Sequence, residues 1–562
     1  MDNQDFMKEI ATGIKKQYEE VPYPVLYDDI YCEEIMLPMS DGVKLRTRIY
    51  RPDAKSGQLP VVIERCCYPQ NELFLEINGE EYAKRGFAFV YQYCRGTGGS
   101  EGKWEPNENE RKDGMDTLTW LCNEDWVDSL GYLGSSYLAL TGWAIIDAVP
   151  EKVKTMYLTQ YGTDRFTSAY KDGLFRHDVL TSWAMGNAGF SVSADYMESC
   201  KYRPHIEVDE KLWGGHLDWY RKWITSTQEI DEYWQTGFWK LLKSIPEKVT
   251  IPIYLGESWH DHHLESALKT YDVLAEKSKK HSTLRIGAWN HMFMPCLNGH
   301  ECHNLGNNDS ATAMNWFYQL LVKKEIPQKK ILTYVIGEDR FMEWDSFPIT
   351  TSHKKRLYLS GRQPVPKQYE LTEMISEDEK MTYIYDPENP VISLGGDSLL
   401  YNIDKAGSVL QPECGFREDV LSFVSKEFEE GLLIAGKMNC HLYVSSDAED
   451  TAFSIKVMEV FQDGRAYHIR NGITTLGFRN KAVTRLEYKP GAIEEIEIEI
   501  LDITWKLQAG SRLRVDISSS NFPEYVAHTN YAGVWALQEK SKIASQTIYV
   551  GENYPSYIEL PY

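Results

Sequence analysis

The stretch GYLGSSYLALTGW, residues 131–143, decides the fold, because an apolar strand-like run passes through Gly-Ser-Ser directly into a helix-like run. The same alternation continues on both sides of it, from LPVVIERCCYP (59–69) to STLRIGAWNH (282–291). Short apolar strands that alternate with helices are typical of a mainly parallel sheet with helices on both faces. The sequence therefore predicts an α/β architecture for this part of the chain.

Two segments depart from this alternation. Residues 164–245 are rich in aromatic residues and have helical patterns, which predicts a helical cap inserted between two strands of the sheet. From about residue 350, apolar and polar residues alternate between Gly, Asn and Asp turns, which predicts an antiparallel jelly-roll sandwich. The predicted domains are an α/β domain (1–163 and 246–349), the cap (164–245) and the jelly roll (350–562).

Composition excludes several classes of function. The 562 residues carry a net charge of −23, and a chain this acidic repels phosphate backbones, so we expect no nucleic-acid partner. No run approaches 18 apolar residues, which predicts no membrane span, and the polar N-terminus has no apolar core of a secretory signal. Ten cysteines, including adjacent Cys66 and Cys67, form no spaced disulfide framework, so we expect free thiols in a reducing cytoplasm.

The Gly-Ser-Ser turn has the pattern on which hydrolases present a nucleophilic serine, although the second glycine of G-x-S-x-G is absent. Such a turn is sharp and needs small residues where the strand and helix backbones nearly touch. For Ser136, the residue two before is Gly134 and the residue three after is Ala139, both small. For Ser135, the first of these positions holds a bulky leucine. The alternative is a simple loop in which a serine caps the helix; the strand before and the helix after favour Ser136 as a nucleophile.

An acid and a histidine follow at the ends of two later strands. The run IPIYLGESWHD ends at Asp261, and TLRIGAWNH ends at His291. Hydrolases of the α/β type carry their catalytic residues in the chain order serine, acid, histidine. The sequence therefore predicts that Ser136, Asp261 and His291 meet at one edge of the sheet.

An oxyanion hole requires two hydrogen-bond donors. One is the backbone N–H of the residue after the nucleophile, Tyr137. The loop after the strand that ends near Cys66 has no glycine run to supply the second donor, so the hydroxyl of Tyr68 is the candidate.

A histidine-rich region suggests a metal site as an alternative. Seven of the 14 histidines fall between residues 260 and 303, and CLNGHECH (296–303) places Cys296, His300, Cys302 and His303 close together. The spacing matches no familiar closed zinc site and contains no CxxC pair. We therefore expect a thiol-containing loop, with no metal and no cofactor.

These motifs resemble those of the cocaine-esterase-like (CocE/NonD) acyl hydrolases, a family that includes α-amino-acid ester hydrolases and is related to Xaa-Pro dipeptidyl-peptidases. The resemblance rests on CRGTGGSEGKW (94–104), GSSYLA (134–139), ESWHD (257–261), WNH (289–291) and AGSRLRVDISSSNFP (509–523). It implies an α/β-hydrolase domain, a helical cap and a C-terminal jelly roll. It also implies a nucleophile at Ser136, a base at His291, an orienting acid at Asp261, and oxyanion donors at Tyr68 and Tyr137.

One departure from the family narrows the substrate. α-Amino-acid ester hydrolases bind the substrate ammonium with carboxylates just after the catalytic acid, where this chain has His262, His263 and Leu264. We therefore expect a small-molecule ester or amide with an uncharged or aromatic acyl part. Candidate residues of the acyl pocket are Trp183, Phe190, His263 and Phe293.

Three alternatives stay open at this stage. The chain could be an Xaa-Pro dipeptidyl-peptidase-like aminopeptidase, although such enzymes are usually longer, with an extra N-terminal domain. It could also be an inactive binding protein on the same fold, or a metallohydrolase. Whether it forms a homo-oligomer is open as well.

Overall fold

The first half of the α/β domain contains six strands in the computed structural model, which describes residues 3–53, 57–306, 309–397 and 405–562. The strands are β1 (Tyr31–Pro38), β2 (Lys44–Arg51), β3 (Leu59–Cys66), β4 (Ala88–Tyr93), β5 (Val127–Ser135) and β6 (Val153–Thr159). The central strand β4 is buried along its whole length, because helices cover both faces of the sheet. The accompanying helices are α1 (Asn3–Glu19), α2 (Glu72–Lys84), α3 (Glu110–Asn123) and α4 (Tyr137–Trp143).

Short helices follow β6 and form the cap. They are α5 (Arg165–Ala169), α6 (His177–Gly186), α7 (Tyr196–Lys201), α8 (Asp218–Thr225), α9 (Glu232–Gln235) and α10 (Gly237–Ser244), with a small hairpin of β7 (Tyr170–Lys171) and β8 (Leu174–Phe175). Aromatic side chains hold these short elements together: Trp223 is 1 % exposed, and Trp183 packs against both Trp219 and Trp223. Since the cap leaves from the carboxyl end of β6, it covers that edge of the sheet.

The second half of the domain completes a ten-stranded sheet in the order β1-β2-β4-β3-β5-β6-β9-β10-β11-β12. Its strands are β9 (Ile253–His260), β10 (Thr283–Asn290), β11 (Lys330–Val335) and β12 (Arg340–Glu343), and its helices are α11 (Leu264–Asp272), α12 (Glu276–Lys279) and α13 (Asp309–Phe317). The pairings from β4 to β11 are parallel, and the outer pairings at both edges are antiparallel. The carboxyl ends of β5, β9 and β10 therefore lie at one edge of the sheet.

The C-terminal domain is built from strands that pair mostly antiparallel, as the period-two pattern predicted. Strand β22, for example, is buried at every second residue, because one face packs on the core and the other faces outward. The strands are β13 (Lys354–Val365), β14 (Gln368–Thr372), β15 (Glu379–Tyr385), β16 (Leu421–Ser425), β17 (Leu432–Ser446), β18 (Ala452–Val460), β19 (Ala466–Thr475), β20 (Glu494–Leu507), β21 (Arg512–Ser518), β22 (Ala544–Val550) and β23 (Tyr557–Pro561).

The C-terminal domain packs directly against the α/β domain. Ile336, just after β11, forms a parallel bridge with Trp505 of β20, whose side chain is fully buried. Arg470 of β19 donates to the carbonyl oxygen of Trp259, close to the carboxyl end of β9. Across the described residues, no helix has the length and apolar character that a membrane crossing requires.

Candidate active site

The turn between β5 and α4 places Ser136 in a strained backbone conformation, with φ 56° and ψ −125°. A side chain at Gly134 would press on the carbonyl oxygen of Leu138, and its Cβ would lie 2.8 Å from the amide nitrogen of Ala139. The glycine is therefore sterically required, as the sequence predicted, and the fully buried Ala139 occupies the position where a small residue was expected. Ser136 makes no side-chain capping hydrogen bond to α4, so the helix-cap alternative does not explain this residue.

Ser136, His291 and Asp261 form a continuous chain of hydrogen bonds. Nε2 of His291 lies 2.9 Å from Oγ of Ser136, and Nδ1 of His291 lies 2.6 Å from Oδ2 of Asp261. Asp261 is fully buried, and its other oxygen accepts a hydrogen bond of 2.7 Å from the backbone N–H of His263. Both carboxylate oxygens are thus held, which fixes the orientation of the acid and of the imidazole. This arrangement can move a proton from the serine to the histidine.

Gln160, the residue after β6, forms hydrogen bonds with the ends of the two strands that carry Asp261 and His291. Its Nε2 donates to the carbonyl oxygen of Asn290 at 2.8 Å and to Oγ of Ser258 at 3.1 Å. Its φ of 52° is rare for a residue other than glycine and is maintained by these contacts. Gln160 was not predicted from the sequence, where its only signal is a polar residue at the end of a buried strand.

Tyr68 and Tyr137 lie in the wall of the cavity that contains Ser136. The Tyr68 hydroxyl oxygen accepts a hydrogen bond of 2.9 Å from Nε1 of Trp183, so the hydroxyl proton can be donated to another acceptor. Burial raises the pKa of Tyr68 well above its usual range, so the hydroxyl stays protonated. The Tyr137 N–H is the first of helix α4 and has no partner within the helix. Both groups can donate to an oxygen bound near Ser136.

The cavity beneath the cap has a volume of about 40 Å³, roughly the space of three water molecules. It suits a small acyl group. Its walls are formed by Tyr68, Asn107, Ser136, Tyr137, Leu140, Tyr161, Arg165, Val179, Leu180, Trp183, Trp223, His262, His263 and His291.

Two of the four predicted pocket residues, Trp183 and His263, line this cavity, whereas Phe190 and Phe293 do not. Phe190 packs over the backbone of Gly215 within the cap. Phe293 packs edge-on against Trp289 at a centroid distance of 5.4 Å. The sequence did not indicate Arg165, Trp223 or the other cap residues of the wall, because nothing in the linear order shows which cap residues face inward.

His262 and His263 are neutral in this environment. Burial, with the neighbouring imidazoles, lowers the pKa of His262 well below its usual range. Burial and then the charge of Arg165 lower the pKa of His263 in the same direction. His263 is also fixed by its Nδ1, which lies 2.9 Å from Oγ of Ser168.

Among the residues that the structure describes, one group meets the distance requirement for a metal site, namely Asp261, His262 and His291, whose ligand atoms all lie within 4.8 Å of one another. Two of these residues are already hydrogen-bonded to each other in the chain that includes Ser136.

The loop 296–303, in contrast, does not assemble such a group. His300 packs edge-on against Trp505, and the side chain of His303 is 77 % exposed. A larger cavity of about 600 Å³ borders this loop, and its wall includes His300 and Ser511. Oγ of Ser511 donates to the carbonyl oxygen of Gln508 at 2.8 Å, and no hydrogen bond joins it to His300 among the described residues.

Comparison with protein families gives two matches that together span most of the chain. Residues 41–293 match the X-Pro dipeptidyl-peptidase (S15 family) model, and residues 327–559 match the model of the X-Pro dipeptidyl-peptidase C-terminal non-catalytic domain. The cocaine esterase of Rhodococcus sp. (strain MB1 Bresler) is 28 % identical over 569 residues, covering 94 % of this chain and 98 % of the relative.

Solved structures show the same fold over nearly the whole chain. An aminopeptidase from a marine sediment archaeon, Thaumarchaeota archaeon, aligns with a TM-score of 0.78 at 21 % identity, over 95 % of this chain and 96 % of the other. An α-amino acid ester hydrolase aligns with a TM-score of 0.78 at 20 % identity, over 96 % and 97 %. A CocE/NonD family hydrolase from Staphylococcus aureus aligns with a TM-score of 0.65 at 17 % identity, over 95 % and 94 %. The predicted α/β-hydrolase fold with a C-terminal all-β domain is confirmed.

Proposed function

Because the chain belongs to the group of serine hydrolases that comprises the S15-family X-Pro dipeptidyl-peptidases and the cocaine-esterase-like (CocE/NonD) acyl hydrolases, we propose that Ser136, His291 and Asp261 are its catalytic triad. Enzymes of this group act on ester or amide bonds. The observation that carries the assignment is the chain of hydrogen bonds from Ser136 through His291 to Asp261, built on a strained strand-to-helix turn.

In the first half-reaction, Oγ of Ser136 attacks the substrate carbonyl carbon while Nε2 of His291 takes the serine proton. Asp261 holds the imidazole by its Nδ1–H and stabilises the imidazolium that forms. The Tyr68 hydroxyl and the Tyr137 N–H donate to the oxyanion of the tetrahedral intermediate. His291 then returns the proton to the leaving alcohol or amine, and the acyl group stays on Ser136.

In the second half-reaction, water takes the place of the leaving group. His291 accepts a proton from the water as the water oxygen attacks the acyl carbon, and the second tetrahedral intermediate uses the same two donors. Collapse of this intermediate releases the acid and restores the proton to Ser136. The cavity supports a small acyl part, with Trp183 and His263 against it.

The aminopeptidase alternative has less support. A carboxylate near the scissile bond would favour recognition of a free substrate amine, and the described residues of the cavity wall include no Asp or Glu. The metallohydrolase alternative would require Asp261, His262 and His291 to coordinate an ion in place of the hydrogen bonds observed between Asp261 and His291.

A fluorophosphonate probe tests the assignment of the nucleophile. We expect the purified protein to be labelled covalently and Ser136→Ala to be unlabelled. Ser135→Ala is the matched control, because Ser135 lies one residue away and its hydroxyl contacts only Gln160, at 3.4 Å, among the described residues; it should be labelled like the wild type.

Labelling that survives in Ser136→Ala, or a folded wild-type protein that takes no label, would overturn the proposal. A parallel assay with a chelator tests the metallohydrolase alternative, since an enzyme with a Ser-His-Asp mechanism keeps its activity when metals are removed. A panel of 4-nitrophenyl esters and aminoacyl 4-nitroanilides then compares ester with amide turnover.

A further inference from the structure

The cavity beneath the cap contains one permanently charged side chain among the described residues of its wall, and that side chain is positive. Arg165, the first residue of α5, is the single Arg or Lys of the wall, and no Asp or Glu accompanies it. His262 and His263 of the wall do not add to this charge, because burial lowers the pKa of each well below its usual range. An anion in the cavity would therefore meet an isolated positive charge.

The guanidinium of Arg165 is held by aromatic rings. Its Cζ lies 4.9 Å from the ring centroid of Trp223 and 6.0 Å from that of Trp239, both of which are buried. The Nε atom is buried and has no hydrogen-bond partner among the residues that the structure describes. The rings thus orient the guanidinium and leave hydrogen-bonding capacity unused.

The acidic side chains near Arg165 interact with other groups. The carboxylate of Asp164, the preceding residue, pairs with Lys243 at 2.9 Å. Glu110 accepts a hydrogen bond from the hydroxyl of Tyr137, and burial raises its pKa. In the part of the chain that the structure describes, no carboxylate forms an ion pair with Arg165.

We propose that this cavity takes an ester or amide that carries a carboxylate close to the scissile bond, and that Arg165 binds that carboxylate. A planar guanidinium offers paired donors that match the two oxygens of a carboxylate, and in a half-buried site such a charge-assisted contact is strong. The inference rests on the proposed function, and it departs from the uncharged or aromatic acyl part expected from the sequence only where the carboxylate lies on the acyl side.

The test compares substrates that differ in one charge. For a carboxylate on the acyl side, the pair is monoethyl succinate and ethyl butyrate; on the leaving-group side, it is 3-acetoxypropanoate and propyl acetate. Hydrolysis is followed by proton release in a pH-stat, and the measured quantity is the ratio of kcat/KM for the anionic over the neutral ester. We expect this ratio to exceed about 10 in the wild type for at least one pair.

Two substitutions at Arg165 separate charge from packing. Arg165→Met keeps a long apolar stem against Trp223, so the ratio should fall by about tenfold or more. Arg165→Lys keeps the charge and loses the planar fork, so it should retain an intermediate ratio. Arg203→Met is the control, because Arg203 is a cap residue that pairs with exposed Glu388 and lies outside the cavity wall; its ratio should match the wild type.

The outcomes distinguish this inference from the proposed function. If neither ester of either pair is hydrolysed and no fluorophosphonate label forms, the proposed function fails. If the neutral esters are hydrolysed but the wild type shows no preference for the anionic partners, the assignment of Arg165 is wrong. A preference that persists unchanged in Arg165→Met would overturn it equally.

Discussion

The hydroxyl of Tyr68 is placed to donate and not to accept at the proposed reaction centre. Its oxygen already accepts the indole N–H of Trp183, and its raised pKa keeps the proton on the phenol. A neutral donor of this kind strengthens its hydrogen bond as negative charge develops on the substrate oxygen. Its contribution should therefore appear in the transition state more than in substrate binding.

Tyr68→Phe should lower kcat by about 10²–10³ with a small change in KM, because one of the two oxyanion donors is lost. Steady-state kinetics on a 4-nitrophenyl ester measure both constants. Tyr93→Phe is the matched control: the Tyr93 hydroxyl is also buried, but it lacks a hydrogen-bond partner and lies outside the cavity wall. A Tyr68→Phe enzyme with wild-type kcat would remove Tyr68 from the mechanism.

At the scale of the element, the turn between β5 and α4 was predictable because its requirements are local. A strained residue between a strand and a helix needs small neighbours at fixed positions, and Gly134 and Ala139 satisfy this in the linear sequence. The order of Ser136, Asp261 and His291 was predictable for a similar reason, since each follows a recognisable strand of a parallel sheet.

The cap was predictable as helical, but the residues that it presents to the cavity were not. Its helices are short, between four and ten residues, and aromatic packing sets their directions. Aromatic residues are frequent throughout the cap, so choosing Trp183 and Phe190 by type identified one wall residue and one that packs elsewhere. Arg165 was not predicted because a single arginine at the start of a five-residue helix leaves no periodic pattern in the sequence.

Gly134→Ala should destabilise the protein and abolish activity, because the added Cβ presses on the backbone of Leu138 and Ala139. Overpacking against rigid backbone costs about 1–3 kcal/mol or more. Gly13→Ala is the control, since Gly13 lies exposed in α1 with no atom within 4 Å of the added Cβ; there alanine should stabilise the helix slightly. Thermal unfolding and fluorophosphonate labelling test both variants, and an active, stable Gly134→Ala protein would contradict the steric account.

Strand β3 carries a buried carboxyl group, Glu64, that makes stability depend on pH. Burial raises the pKa of Glu64 from 4.5 to about 8, and within the described part of the chain its Oε2 has no hydrogen-bond partner. The unfolded chain ionises this group above its ordinary pKa, whereas the folded protein holds the proton until about pH 8. The contribution of Glu64 to stability is therefore fully present below pH 4.5 and is lost as the pH rises to about 8.

Glu64→Gln should remove this part of the pH dependence, because the amide does not ionise. The Tm of the variant relative to the wild type should increase steadily between pH 5 and pH 8. Glu9→Gln, at an exposed position of α1, should change the Tm by the same small amount at every pH. Parallel Tm curves for Glu64→Gln and the wild type would show that Glu64 is already ionised in the folded protein.

At the scale of the whole molecule, the C-terminal domain contributes directly to the proposed active site. Arg470 of β19 donates to the carbonyl oxygen of Trp259 and to Asp397 at 2.9 Å. Trp259 lies two residues before Asp261, so this contact fixes the strand end that presents the acid. Arg470 is 1 % exposed, which makes the contact costly to break. The C-terminal domain therefore helps to position the acid, Asp261, in addition to forming a fold of its own.

Arg470→Met should lower kcat by about tenfold through displacement of Asp261, while KM changes less, since Arg470 is not among the described residues of the cavity wall. It should also lower the Tm, because removing one partner of a buried ion pair costs about 3–5 kcal/mol. Assays are made well below the Tm, so that loss of folded protein does not lower the rate.

Arg470→Lys should restore part of kcat by keeping a donor to the carbonyl oxygen of Trp259. Arg356→Met, which removes a half-exposed arginine paired with Glu559 on the same domain, should leave kcat unchanged. If Arg470→Met lowers the Tm but keeps the wild-type kcat, the C-terminal domain stabilises the fold without positioning the acid.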